Sequence, residues 1–268
     1  MSFVALLRRS LAESAGMGLA LLALLAGFQV ALVLQASSYG DVQFARMIEM
    51  MPSFLQRSLG SMVSLVASFG GMVTAGYYHP MVLIMMAQVA IFLATEPARD
   101  VEQGLVDLLL SRPVPRHWLI TRSLIVVLAG TAAAGGVMTA ALVLALHAFA
   151  PAGAAWPVAR TVVALALHVV AVAWCFGALG LAVAAGARRR SAAFTVVGAL
   201  AVLSYIVDFI SRAWLPLRRI DWLSPFHYYP AILILAGVAP PWRNLLVLTS
   251  ATAVFASLAY WRFSRRDV

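Results

Sequence analysis

Residues 161–210 read TVVALALHVVAVAWCFGALGLAVAAGA, then RRR, then SAAFTVVGALAVLSYIVDFI. Two apolar runs flank an arginine triplet, and each has the length, about 20 residues, that crosses a bilayer core as a helix. Outward from this pair the pattern repeats. Apolar runs at 17–34, 77–95, 119–147 and 245–261 join 161–187 and 192–210 to make six expected spans. Hydrophobic residues are 63% of the chain and charged residues 11%, against about 25% charged in soluble domains. Mean hydropathy is +0.94. No water-soluble core hides that much apolar surface, so the fold class is an all-α, polytopic membrane protein filling residues 1–268 as one unit.

The mixed segment 1–16 carries Arg8, Arg9 and Glu13. A charged stretch before an apolar run resembles a signal peptide. No clean small-residue cleavage site follows the run, so it is read as a retained span. Between the first two spans, residues 36–59 are polar and amphipathic and are expected on the outer surface. The Gly- and Ser-rich stretch 60–76 either lengthens the second span or dips partway into the membrane. Tyr77 and Tyr78 are read as interfacial.

Charge excludes several functions. All 19 basic residues are arginine. Without lysine the sequence holds no P-loop, whose lysine reaches the nucleotide phosphates, and forms no Schiff base. Any ATP must be bound by another polypeptide. The net charge of +9 suits arginine-rich loops facing anionic lipid better than nucleic acid. Six spans with a cytoplasmic N-terminus leave 12 arginines on inner segments (Arg8, Arg9, Arg99, Arg112, Arg116, Arg122, Arg188, Arg189, Arg190, Arg262, Arg265, Arg266) and 7 outside. That is the positive-inside bias, and it places both termini in the cytoplasm. The single Cys175 forms no internal disulfide. The histidines show no metal-ligand spacing, so no metal and no cofactor are expected. No catalytic residues are expected either: the motifs of intramembrane serine, metallo- and aspartyl proteases are missing.

One polar interruption stands out, Glu96–Arg116. It holds Glu96, Asp100, Glu102 and Asp107, four of the chain's ten acids. Pro97 suits a first helical turn, and the early acids suit the positive end of the helix. Val101, Leu105 and Leu108 share a face. Arg112 falls in the last turn, before Pro113 and Pro115. These features predict an amphipathic helix over 97–112 on the cytoplasmic surface. Either it is a solvated helix on lipid headgroups, or it is a docking element that takes force from a soluble partner.

Between the fifth and sixth spans, 211–242 mixes arginines with an apolar run, 231–238, that is too short to cross. A re-entrant or interfacial segment and an aromatic-anchored surface loop both fit it. Asp208 and Arg212, at i and i+4, are spaced to pair. An ionisable group at membrane depth is a functional candidate by default, but Asp208 lies close enough to the interface that a structural ion pair is the favoured reading. Small residues such as Gly135, Gly177 and Gly180 permit close helix approach. The spans hold few polar groups, which suits an amphipathic or lipid-like cargo better than an ion.

Glu96, Gly104-Leu105, Leu108-Leu109-Leu110-Ser111 and Arg112-Pro113-Val114-Pro115-Arg116 together resemble the first cytoplasmic loop of ABC type-2 permeases, with Arg122 where that family has a lysine. Leu223-Ser224-Pro225-Phe226 resembles the family's element before the last span, and Phe263-Ser264-Arg265-Arg266-Asp267 its tail. The resemblance implies the transmembrane subunit of an ATP-binding cassette exporter in the cell inner membrane. It implies two cytoplasmic ATPase subunits and a second permease, identical or related. It implies a coupling helix in which Glu96, Arg99, Asp100, Glu102, Asp107, Arg112 and Arg116 form the ATPase-docking surface. It also implies a short helical hairpin over the exit, with Leu223, Ser224, Pro225 and Phe226 as an outer gate. A membrane scaffold that transports nothing shares the same topology and is the alternative.

Overall fold

The computed structural model describes residues 2–38, 65–105, 115–212, 214–238 and 242–265. Among these no strand occurs, and six helices are long and apolar enough to cross a membrane. The order is α1 (Phe3–Ser38), α2 (Phe69–Tyr78), α3 (Pro80–Ala94), α4 (Glu96–Glu102), α5 (His117–Phe149), α6 (Ala159–Ala184), α7 (Arg190–Ser211), α8 (Ala231–Leu235) and α9 (Trp242–Ser264). The all-α, six-helix expectation holds, with α2 and α3 making one crossing in two pieces.

Helix α1 has 36 residues. At about 1.5 Å per residue it outreaches a hydrocarbon core of about 30 Å. The segment bearing Arg8, Arg9 and Glu13 therefore continues the helix past the apolar slab and lies beside α4. The second crossing begins at Phe69, not at Tyr77. From Phe69 on, the described part of the 60–76 stretch lengthens the span. Ser68 caps α2, its side chain accepting the Gly71 N–H at 3.1 Å. The bend falls at His79, held extended (φ −64°, ψ 128°) ahead of Pro80. Gln29 of α1 packs on Gly76 and donates to the Val73 carbonyl, which is how so polar a stretch is accommodated.

Helix α6 is the axis. In its most apolar stretch 72% of residues are buried, against 22–44% for the other five crossing helices. It packs on α3, α5 and α9 and reaches α7, α8 and the 3-10 turn Pro225–Tyr228. Small residues make that possible. A Cβ on Gly177 would lie 2.5 Å from Val127 Cγ1 and 3.3 Å from Ala90 Cβ, and one on Gly180 would lie 3.3 Å from Ile91 Cα. In lipid, where the hydrophobic effect gives helices no drive to associate, such close van der Waals contact holds them together.

The amphipathic helix expected over 97–112 is interrupted. Helix α4 ends at Glu102, and the N–H groups of Gln103 and Gly104 close onto the Arg99 and Val101 carbonyls at 3.0 and 3.1 Å. Gly104 sits at φ +67°, a left-handed helix stop that glycine adopts without strain. Leu105 is helical again. Asp107, Leu108 and Arg112 lie outside the described residues. The face that α4 turns inward is charged, with Glu96 and Asp100 beside Pro97 and Ala98; the apolar stripe does not decide its orientation. At the opposite end, three 3-10 turns (Leu215–Arg219, Asp221–Leu223, Pro225–Tyr228) and the five-residue α8 fold onto α6, α7 and α9.

Replacing Gly177 by Val forces α6 away from α5, at a cost of about 1–3 kcal/mol for overpacking. Melting of the purified protein in detergent checks this. Gly136→Ala is the control, since a Cβ there meets nothing within 4 Å, and its melting point is expected to stay unchanged.

Candidate functional site: a charge lattice at one end of the bundle and an aromatic plug at the other

Thr95 closes α3 and opens α4, so Glu96 enters the bundle at once. Its carboxylate accepts from Ser10 Oγ at 2.7 Å and Ser123 Oγ at 3.4 Å. The guanidinium groups of Arg99 and Arg122 stand 3.7 Å away. One turn on, Asp100 pairs directly with Arg122. Exposure is 8% at Glu96, 2% at Asp100 and 1% at Arg122, so these charges are interior. Arg99 pairs with Glu13, and Glu13 with Arg9 at 2.7 Å. Arg190, the first residue of α7, donates Nε to Thr95 Oγ1 at 3.2 Å and Nη2 to the Phe92 carbonyl at 3.0 Å. Its guanidinium also lies 3.7 Å from the Phe92 ring centre, a cation–π contact. Its backbone N–H meets the Glu102 carboxylate at 2.9 Å, an anion at the start of a helix.

The lattice thus ties the short α4 to α1, α5 and α7. Removing an ion from water costs several kcal/mol, and a buried pair does little more than repay it. The gain is geometric, because each carboxylate has one place where its charge is matched. Burial pushes the Asp100 carboxyl above the ordinary carboxylate range; Arg122 opposes this, the nearby Glu96 adds to it, and Arg99 opposes it. Glu13 is also pushed up by burial, but hydrogen bonds from Arg9 and Arg99 outweigh that and hold it below the ordinary range.

Of the residues expected on a docking surface, Glu96 and Asp100 are buried, and Arg99 is half-buried between α4 and α1. Glu102 and Arg116 are exposed. Asp107 and Arg112 fall outside the described residues. Sequence reasoning treated Arg122 as a conservative stand-in for lysine and Arg190 as a topology anchor. Arg122 carried a usable signal, an ionisable group inside an apolar run. Arg190 carried none beyond its neighbours in the triplet, and Ser10 and Ser123 none at all.

At the far end the segment expected as an outer gate divides by exposure. Leu223 is 63% exposed, whereas Ser224 and Phe226 are buried. Ser224 Oγ donates to the Ser204 carbonyl at 3.0 Å and accepts the Phe226 N–H at 3.2 Å. Pro225 opens the 3-10 turn. The Phe226 ring sits 5.3 Å from both Phe176 and Tyr205, edge-on to the latter. Tyr229 donates its hydroxyl to the Tyr77 carbonyl at 3.0 Å and stacks on His168 at 5.9 Å. Tyr77 in turn shares a hydrogen bond with Thr139. Phe226 and Tyr229 plug the bundle from above. Among the described residues no three His, Cys, Asp or Glu side chains gather to hold a metal.

Arg122→Gln leaves Asp100 buried without its cation and should cost about 3–5 kcal/mol. Adding Asp100→Asn should recover much of the loss, because the remaining pair is neutral. Detergent melting curves of the single and double variants check the sign of that coupling.

The family profile described as ABC-2 family transporter protein matches residues 55–268, which takes in the polar lattice from Glu96 to Arg190 and the plug at Phe226 and Tyr229. Among curated proteins none matches the chain. The match covers most of the sequence and falls on a chain with six membrane-crossing helices. This multi-pass membrane protein therefore belongs to the ABC-2 family transporter proteins, as a permease subunit of an ABC transporter.

Proposed function

We propose that the chain forms the substrate passage of an exporter in the inner (plasma) membrane and is driven by a separate ATPase docked at the Glu96 end. The observation that carries this reading is the buried lattice of Glu96, Asp100 and Arg122, joined to α1 through Ser10 and to α5 through Ser123. A push on α4 is a push on the spans, because shearing the helix away would strand interior charges. Glu102, Arg116 and, from the sequence, Asp107 and Arg112 make the contact surface. Glu96, Arg99 and Asp100 transmit what that surface receives.

Orientation follows from arginine. Ser10 meets Glu96, and Arg262 of α9 reaches the Ala182 carbonyl at 3.3 Å near the end of α6. The start of α1, the lattice, Arg188–Arg190 and the end of α9 therefore share one end of the bundle, which supports a cytoplasmic placement of both termini. Two ATPases and a second permease would complete the transporter. The spans' few polar side chains favour an amphipathic or lipid-like cargo released past Leu223, Ser224, Pro225 and Phe226. Opening that exit requires withdrawal of the Phe226 ring.

Two measurements test the reading. Glu102→Arg combined with Arg116→Glu should abolish co-purification of the ATPase while the permease, having lost the Glu102 contact at the start of α7, still melts as a folded protein in detergent; a complex retained in full argues against docking here. In membrane vesicles, a membrane-impermeant maleimide should label Gln103→Cys only when they are inside-out. The native Cys175 is buried and gives little background. Labelling from the outside would reverse the orientation and remove the docking site.

A further inference from the structure

A pocket of about 200 Å³ opens at the plugged end, between the α2–α3 bend, α7 and the outer turns. Its wall carries the aromatic rings of Tyr78, Tyr205, Phe209, Phe226 and Tyr229, and one ion pair, Asp208 with Arg212. Tyr205, Asp208 and Phe209 share a face of α7 at i, i+3 and i+4, so a single helix delivers them together. The Tyr205 and Phe209 rings lie 17° from parallel, 6.3 Å apart, and Phe226 meets Tyr205 at 90°. Five aromatic rings thus line the pocket, two of them near-parallel and one at a right angle to its neighbour.

The charge in this pocket is unevenly matched. Asp208 is 5% exposed, and among the described residues its ion-pair partner is Arg212 at 2.8 Å. The Arg212 side chain is 58% exposed. The half-solvated guanidinium can turn to water only when another cation takes its place beside the carboxylate. The buried carboxylate has no such freedom and requires a cation. Aromatic faces attract cations as well, most strongly where water is excluded.

We infer that this pocket binds a small organic cation, a quaternary ammonium or a protonated amine. Its charge takes the place of the Arg212 guanidinium beside Asp208, and its alkyl groups lie against the rings. An anion meets Asp208 and the negative ring faces and is repelled. A neutral apolar molecule fills the space but contributes nothing to the carboxylate. Describing the ligand as a cargo or as a ligand of the gate rests on the permease reading. The binding itself does not, and it is measured without ATPase or nucleotide.

The full chain in lipid nanodiscs is titrated calorimetrically with choline and with its neutral carbon isostere, dimethylbutanol. Choline is expected to bind saturably and about tenfold or more tighter than the isostere. Asp208→Asn should weaken choline by about tenfold or more. Arg212→Gln removes the competing cation and should tighten it, a gain that a folding defect does not produce. Equal affinity for choline and the isostere, unchanged binding in Asp208→Asn, or weaker binding in Arg212→Gln would each overturn the site. None of these outcomes depends on whether the ATPase docks, so the two readings fail separately.

Discussion

The Arg122 guanidinium, shut inside the bundle against Asp100 and Glu96, is the constraint from which the rest of the structure follows. A buried cation needs its anions within contact distance, and an apolar bundle offers no other place for them. The two carboxylates must therefore come from α4, and α4 must lie across the ends of α1, α5 and α7. Ser10 and Ser123 then find their partner on Glu96, and Arg190 finds its partners on Thr95 and Phe92. A loop helix of seven residues, too short to hold its shape alone, becomes part of the rigid body.

A different force holds the spans. Among apolar helices in lipid, contact area and close approach replace the hydrophobic effect. Helix α6 meets this demand with glycine and alanine on the faces turned to α3 and α5. The rigid axis and the charged lattice adjoin at one end, where Gly180 packs on Ile91 and Ala94, one turn before Glu96. At the other end the outer turns hold on through aromatic side chains, Phe226 and Tyr229, with single hydrogen bonds from Ser224 and Tyr229. Contacts of that kind shift more readily than buried ion pairs. The charged end is thus the more tightly held of the two.

How much of this was legible in the sequence depends on the range of the interaction. Six apolar runs disclose six helices, because a bilayer reads composition over about 20 residues. Pro80 and Gly104 mark a bend and a helix stop by local stereochemistry alone. The start of the second crossing at Phe69 was less legible. Its glycines and Thr74 look too polar in isolation, and only the neighbouring α1, with Gln29 against Val73 and Gly76, makes the stretch fit. The acids of α4 were visible as a cluster but read as facing outward, since helical periodicity ranks apolar residues inward and does not anticipate a buried arginine from another helix.

The sequence alone determined the solvent this protein lives in, the number of its crossings, the asymmetry of its arginines and the want of a nucleotide-binding lysine, because each is a property of composition or short-range pattern. Tertiary structure decided which charges are interior, which helix is the axis, and that Asp208 and Arg212 share a pocket with five aromatic rings. Those facts depend on residues brought together from distant segments, such as Ser10 with Glu96 or Tyr77 with Tyr229, and no local rule encodes which segments will meet.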